Sequence, residues 1–196
     1  MEPPLEQRVP SALGRHPAVR SVELTGSRAE GRATSHSDWD FAVATDDFQA
    51  LARDLPELCA PLAPVAEQWD RLSPHQCWML ILPGPAKVDL IFPDEPHEDE
   101  PPWQPTRENL AAIDRHFWDW ALWLRSKEAA GKQELLENEL EKLRRHLLAP
   151  LGATAKPDSV ADAVAAYRDA RARAESRFGC QVPRVLETAV AGAVLA

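Results

Sequence analysis

The chain has 196 residues, 44% of them hydrophobic, with 31 acidic against 22 basic side chains and a net charge of -9. That length holds one or two compact domains with a buried core. The charge is uneven: residues 1–105 carry 18 acids and 8 bases, whereas residues 106–196 carry 13 and 14, which argues against a nucleic-acid polymer as the main partner, since phosphate backbones are held by basic surfaces.

In chain order, short apolar runs alternate with turn residues and predict five strands: Val19 to Thr25, Trp39 to Ala44, Val65 to Trp69, Cys77 to Leu82 and Lys87 to Phe92. Asp46 and Asp47, followed by Phe48, Leu51, Leu55 and Leu58, predict a capped amphipathic helix between the second and third strands. Leu82-Pro83-Gly84-Pro85-Ala86 reads as the turn of a hairpin. The stretch Pro93 to Pro102 holds four prolines and five acids with no apolar period, so neither a helix nor a ladder is expected there and the domain boundary is placed in it.

Beyond it the period becomes helical. Leu136, Leu140, Leu143 and Leu147 form one stripe, with Glu141 and Arg145 as a pair on the polar side. Val160, Val164, Tyr167, Ala174 and Phe178 form a second, after the capping residues Asp158 and Ser159, and residues 107–127 and 183–195 are further helix candidates. The expected fold class is α+β: a mixed β-sheet with helices over residues 1–95, then an all-helical domain over residues 106–196.

Cys59, Cys77 and Cys180 form no Cys-x-x-Cys pair and leave at least one thiol unpaired, which indicates a reducing compartment, the cytoplasm by default. The N-terminus lacks the features of a signal peptide. The apolar C-terminal stretch is broken by Pro183, Arg184 and Glu187, so no membrane partner is expected.

The stretch that carries chemistry is Thr25 to Val43. A strand runs into Gly26-Ser27, ten residues separate Ser27 from Asp38, and Asp38 and Asp40 project to one side while Trp39 and Phe41 point to the other. Two like charges on one face are unfavourable without a cation between them, and hard carboxylate oxygens suit Mg²⁺. Asp89 lies inside the apolar run Val88 to Phe92 and needs a partner of its own. If its strand adjoins that of Asp38, the three carboxylates converge on one or two metal ions, an arrangement suited to in-line displacement at phosphorus. Gly26 and Gly31 let backbone approach a phosphate, Ser27 offers a hydroxyl, and a short helix begins near Arg28. Arg28 and Arg32 are candidate phosphate contacts, each balanced against an ordinary surface arginine.

Gly26-Ser27, the ten-residue gap, Asp38-x-Asp40 and the later strand Asp89 together resemble the signature of the DNA polymerase β-type nucleotidyltransferase superfamily. The likeness covers residues 20–92. A compact catalytic domain followed by helices resembles the aminoglycoside nucleotidyltransferases, while the gap length also matches minimal nucleotidyltransferases that act as antitoxins. The resemblance implies Mg²⁺ at Asp38, Asp40 and Asp89, which are also the catalytic residues, and a triphosphate at Gly26 and Ser27, with Arg28, Gly31 and Ser37 beside it. The expected activity is transfer of AMP from ATP to a hydroxyl of a small, cationic, aminoglycoside-like acceptor with release of pyrophosphate, an antibiotic-resistance chemistry. The alternatives are an antitoxin-like enzyme acting on a partner protein and a non-catalytic nucleotide-binding module.

Other residues read more plainly. His36 is a solvated loop histidine, Trp118, Trp120 and Trp123 are core at helical spacing, and Glu137, Glu139 and Glu141 are a solvated helix face. His75 and Cys77 lack a second ligand pair for zinc.

Overall fold

The computed structural model describes residues 3–196. The chain divides into two compact units, Met1–Glu100 and Pro101–Ala196. Among the described residues no helix is long and apolar enough to cross a membrane.

The first unit runs α1 (Leu5–Leu13), β1 (Val19–Thr25), α2 (Gly26–Ala29), β2 (Trp39–Thr45), α3 (Phe48–Cys59), β3 (Ala66–Trp69), β4 (His75–Leu82) and β5 (Ala86–Pro96). Its sheet has the order β1-β2-β5-β4-β3, with β2 parallel to β5 and every other pair antiparallel. The five strands follow from the alternation of apolar and polar residues, which sorts side chains onto two faces. One face sends Phe41, Val43, Val88, Leu90, Trp78 and Leu80 into a core completed by Val9 and Leu13 of α1 and Leu51 and Leu55 of α3. Asp47 caps α3, its side chain accepting from the Ala50 N–H at 2.9 Å. The predicted hairpin is present: β4 and β5 pair through Leu82 and Ala86 around Gly84 at φ +97°, a conformation that favours glycine.

Two features of the first unit depart from the sequence expectations. Helix α1 was not anticipated, because Pro4 and Pro10 mask a short apolar face; Val9, Ala12 and Leu13 are nonetheless buried. The proline-rich stretch also does not stop the sheet at once. β5 continues through Pro96, which pairs with His75 across a register shift. β2 pairs β5 only over Val88–Ile91, so the segment around Pro93 and Pro96 is bonded to β4 alone, and proline is tolerated where one side of a strand needs no ladder bond.

The second unit is helical: α4 (Leu110–Ala129), α5 (Gln133–Leu143) running into a π-helical turn over Arg144–Leu148, α6 (Val160–Phe178) and α7 (Val185–Leu195). The leucine stripe is buried at Leu136, Leu140 and Leu143 of α5 and at Leu147 of the π-helical turn. Ser159 caps α6 by accepting from the Asp162 N–H at 3.1 Å, and Gly179 closes it at φ +60°. The expected Glu141–Arg145 pair is replaced by Glu141 with Arg144, which donates from Nε and Nη2 at 2.8 and 2.6 Å. Position i+3 is as close on the helix surface as i+4, and here it gives the two-pronged geometry that suits a guanidinium.

Polar groups inside this unit form a network. Asp114 accepts from the Tyr167 hydroxyl at 2.7 Å and from Arg171 Nη1 at 2.8 Å, while Arg171 Nη2 donates to Glu187 and Arg168 Nε donates to Glu187 at 2.7 Å. Burial, and then the Asp114 carboxylate, raise the Tyr167 phenol well above its ordinary value, so it remains a donor. Helices α4, α6 and α7 are thereby held together by charges that satisfy one another.

Candidate functional site

The site is assembled where β1 turns into β2. At the end of β1, Gly26 adopts φ +65° and starts the single turn α2. Glycine is required twice here: the backbone is left-handed, and a β-carbon at this position would collide with the Asp40 carboxylate and lie 3.2 Å from its Cγ. The Thr25 hydroxyl donates to the Asp40 carbonyl at 3.3 Å, and these two residues are cross-strand partners. After α2 the chain reverses at Gly31, φ +67°, where a β-carbon would meet nothing within 4 Å. The loop that follows is tied by its own side chains: the Ser37 hydroxyl accepts from the Thr34 N–H at 2.9 Å, and the Thr34 hydroxyl accepts from the His36 N–H at 3.2 Å.

Arg28 turns inward. Its Nε donates to the Asp38 carbonyl at 2.9 Å and its Nη2 to the Ser37 carbonyl at 2.6 Å, with the guanidinium 3.9 Å from the centre of the Trp39 ring. Desolvation lowers the Arg28 guanidinium from its ordinary value, and the charges of Asp38 and Asp40 oppose that shift. Arg28 is thus a strut between the Gly-Ser turn and the start of β2. Arg32, the other candidate, is exposed and pairs with Glu30.

Asp40 and Asp89 are register partners on the adjacent parallel strands β2 and β5. Their side chains therefore share one face of the sheet. On the other face, as expected, Phe41 is buried in the core and Trp39 packs against it. Asp38, just ahead of β2, is buried. Oxygen donors of this kind, neighbours on one face beside the bare Cα of Gly26, fit a hard divalent cation. Asp89, however, already has a partner: Lys87, two residues back on the same face, donates its Nζ to Asp89 Oδ1. Among the described residues no three His, Cys, Asp or Glu side chains gather in a metal-binding group. Lys87-x-Asp89 was visible as a same-face pair in the sequence, but nothing there indicated that the lysine would be buried. Trp39 as the platform for Arg28 was equally unmarked.

The tryptophans and glutamates singled out in the sequence belong to the second unit. Trp118 and Trp120 are buried on α4, and the Trp123 ring is met by Lys127 Nζ at 4.6 Å from its centre. Glu137 accepts from Gln133 at 2.9 Å along the exposed side of α5.

No family model matches the chain, and no curated protein was found to be similar to it. Among solved structures, an aminoglycoside 6-adenyltransferase from Bacillus subtilis aligns with 96% of this chain and 97% of its own, at 11% identity and a TM-score of 0.39. A likeness that distant carries no functional argument.

Proposed function

We propose that the chain is a Mg²⁺-dependent nucleotidyltransferase that moves AMP from ATP to a hydroxyl of a small, cationic, aminoglycoside-like acceptor and releases pyrophosphate. The observation that carries this reading is the pairing of Asp40 with Asp89 across β2 and β5, with Asp40 lying against the bare Cα of Gly26. Asp38, Asp40 and Asp89 would hold the metal. When bound, the metal neutralises triphosphate charge and stabilises the leaving oxygen. Gly26 keeps the turn free of a side chain, Ser27, with Gly31 and Ser37 in the loop beyond, faces the triphosphate, and Arg28 keeps the turn and the carboxylates at a set separation. Orientation of this kind lowers a barrier by removing rotational and translational freedom in advance. The acidic balance of residues 1–105, 18 acids to 8 bases, supports a cationic acceptor.

Thermal unfolding with each nucleoside triphosphate, with and without Mg²⁺, tests the reading. A nucleotide at 100 times its dissociation constant adds about 2.7 kcal/mol, a midpoint shift of roughly 5 to 10 °C for a chain of this size. One nucleotide should produce it only with Mg²⁺, and Asp40→Asn should abolish it. No shift with any nucleotide would sink the proposal. The capture of Asp89 by Lys87 favours one second reading, a nucleotide-binding module without turnover. Pyrophosphate release with a hydroxyl acceptor, lost in Asp40→Asn, would exclude it.

A further inference from the structure

An aspartate in an apolar strand needs a cation, and the structure already supplies one. Lys87 and Asp89 are paired on β5, with side chains only 5% and 13% exposed. The two-residue period of a strand sets both on the face that carries Asp40, the register partner of Asp89 on β2. Lysine rarely gives up so much water at a position where its ammonium has no task. Here it offsets the repulsion between neighbouring carboxylates.

We infer that Lys87 is a built-in counter-ion that occupies Asp89 in the metal-free protein and competes with a divalent cation for that carboxylate, so that Lys87 sets the metal affinity of the site. This rests on the metal-dependent reading above. The ammonium and the metal need the same oxygen lone pairs, and two cations sharing one carboxylate in a dry setting repel. Lys87 therefore stabilises the empty site and opposes its filling. Without the ammonium, Asp89 is left as an uncompensated, largely buried charge, which is strongly unfavourable, and a divalent cation restores neutrality.

The test uses the full chain freed of metal, with Mn²⁺ alone as the probe, its binding followed by calorimetry and by the electron paramagnetic resonance of the free ion. Lys87→Met should bind Mn²⁺ at least about tenfold more tightly than wild type, roughly 1.4 kcal/mol. Its unfolding midpoint should also rise more steeply with Mn²⁺ concentration. Lys87→Arg keeps the charge and should stay near wild type, while adding Asp40→Asn to Lys87→Met should remove the gain. If Lys87→Met does not fold, Lys87→Gln makes the same comparison. Unchanged or weaker Mn²⁺ binding in a folded neutral variant overturns the inference. When wild type still binds Mn²⁺ through Asp40, that outcome leaves the metal-dependent reading standing. Absence of Mn²⁺ binding in wild type and neutral variant alike removes both.

Discussion

Asp40 lies against the Cα of Gly26, so closely that no β-carbon fits between the turn and the carboxylate. The contact joins the turn at the end of β1 to β2 and explains why the turn carries glycine at φ +65°. Gly26→Ala should lose about 1–2 kcal/mol from the left-handed backbone alone, and it should also displace the Asp40 side chain. The expected outcome is a lowered unfolding midpoint with loss of the Mg²⁺-dependent nucleotide shift. Gly84→Ala, in the β4–β5 turn, where φ is +97° and the space is open, should lose stability while keeping the nucleotide shift.

The Asp114 network predicts a large effect far from the candidate site. Arg171 and Asp114 have side chains 5% and 3% exposed, and Asp114 also accepts from Tyr167. Asp114→Ala strands a guanidinium and a phenol in a dry interior and should cost about 3–5 kcal/mol, read as a lower denaturant midpoint. Replacing Asp114 and Arg171 together by apolar residues should recover much of that loss, because the desolvation cost of both charges disappears. A double variant as unstable as Asp114→Ala would contradict this account.

Acid should loosen the helical unit in a defined window. The Glu175 carboxyl lies below its ordinary value because of its hydrogen bonds from Arg184. For Glu187, burial pushes the value up, but the hydrogen bond and charge of Arg171, followed by Arg168, bring it below the ordinary value. A carboxyl lowered in the folded state contributes stability above its unfolded value of 4.5 and loses it as pH falls through the folded value. The unfolding midpoint should therefore fall as pH is taken below 4.5, and Glu175→Gln should make that fall shallower. An identical slope in the variant would show that Glu175 is not responsible.

Thiol reactivity should divide the cysteines. Burial, aided by the charge of Glu67, pushes the Cys59 thiol up to about 12, and Cys77 is buried in β4, whereas Cys180 is partly exposed after α6. A thiolate reagent at neutral pH should modify one cysteine in the native protein and all three after denaturation. Rapid native modification of Cys59 would show that the core around α3 opens far more readily than its packing implies.

The five strands, the capped helix α3 and the leucine stripe of α5 were legible because each is written in local periodicity, and a period of two or of 3.6 fixes which side chains share a face. The neighbourhood of Asp89 and Asp40 was legible only as a condition, that their strands adjoin. Helix α1 escaped notice because its apolar face is short and interrupted by Pro10, and the extension of β5 to Pro96 because proline is excluded from a ladder only where both sides are paired.

By itself, then, the sequence determined the five strands, the capped helix α3 and the glycine turn, all of which are set by neighbours within a few residues. Only the tertiary structure decided that Arg28 turns inward onto Trp39, that Lys87 takes Asp89 and that Asp114 meets Tyr167 and Arg171. A charged side chain has several reachable partners, and water competes for it until packing removes the water. Which charges lose their solvent is a property of elements far apart in the chain, so the partner of each buried charge is fixed only when the sheet and the helices have closed over it.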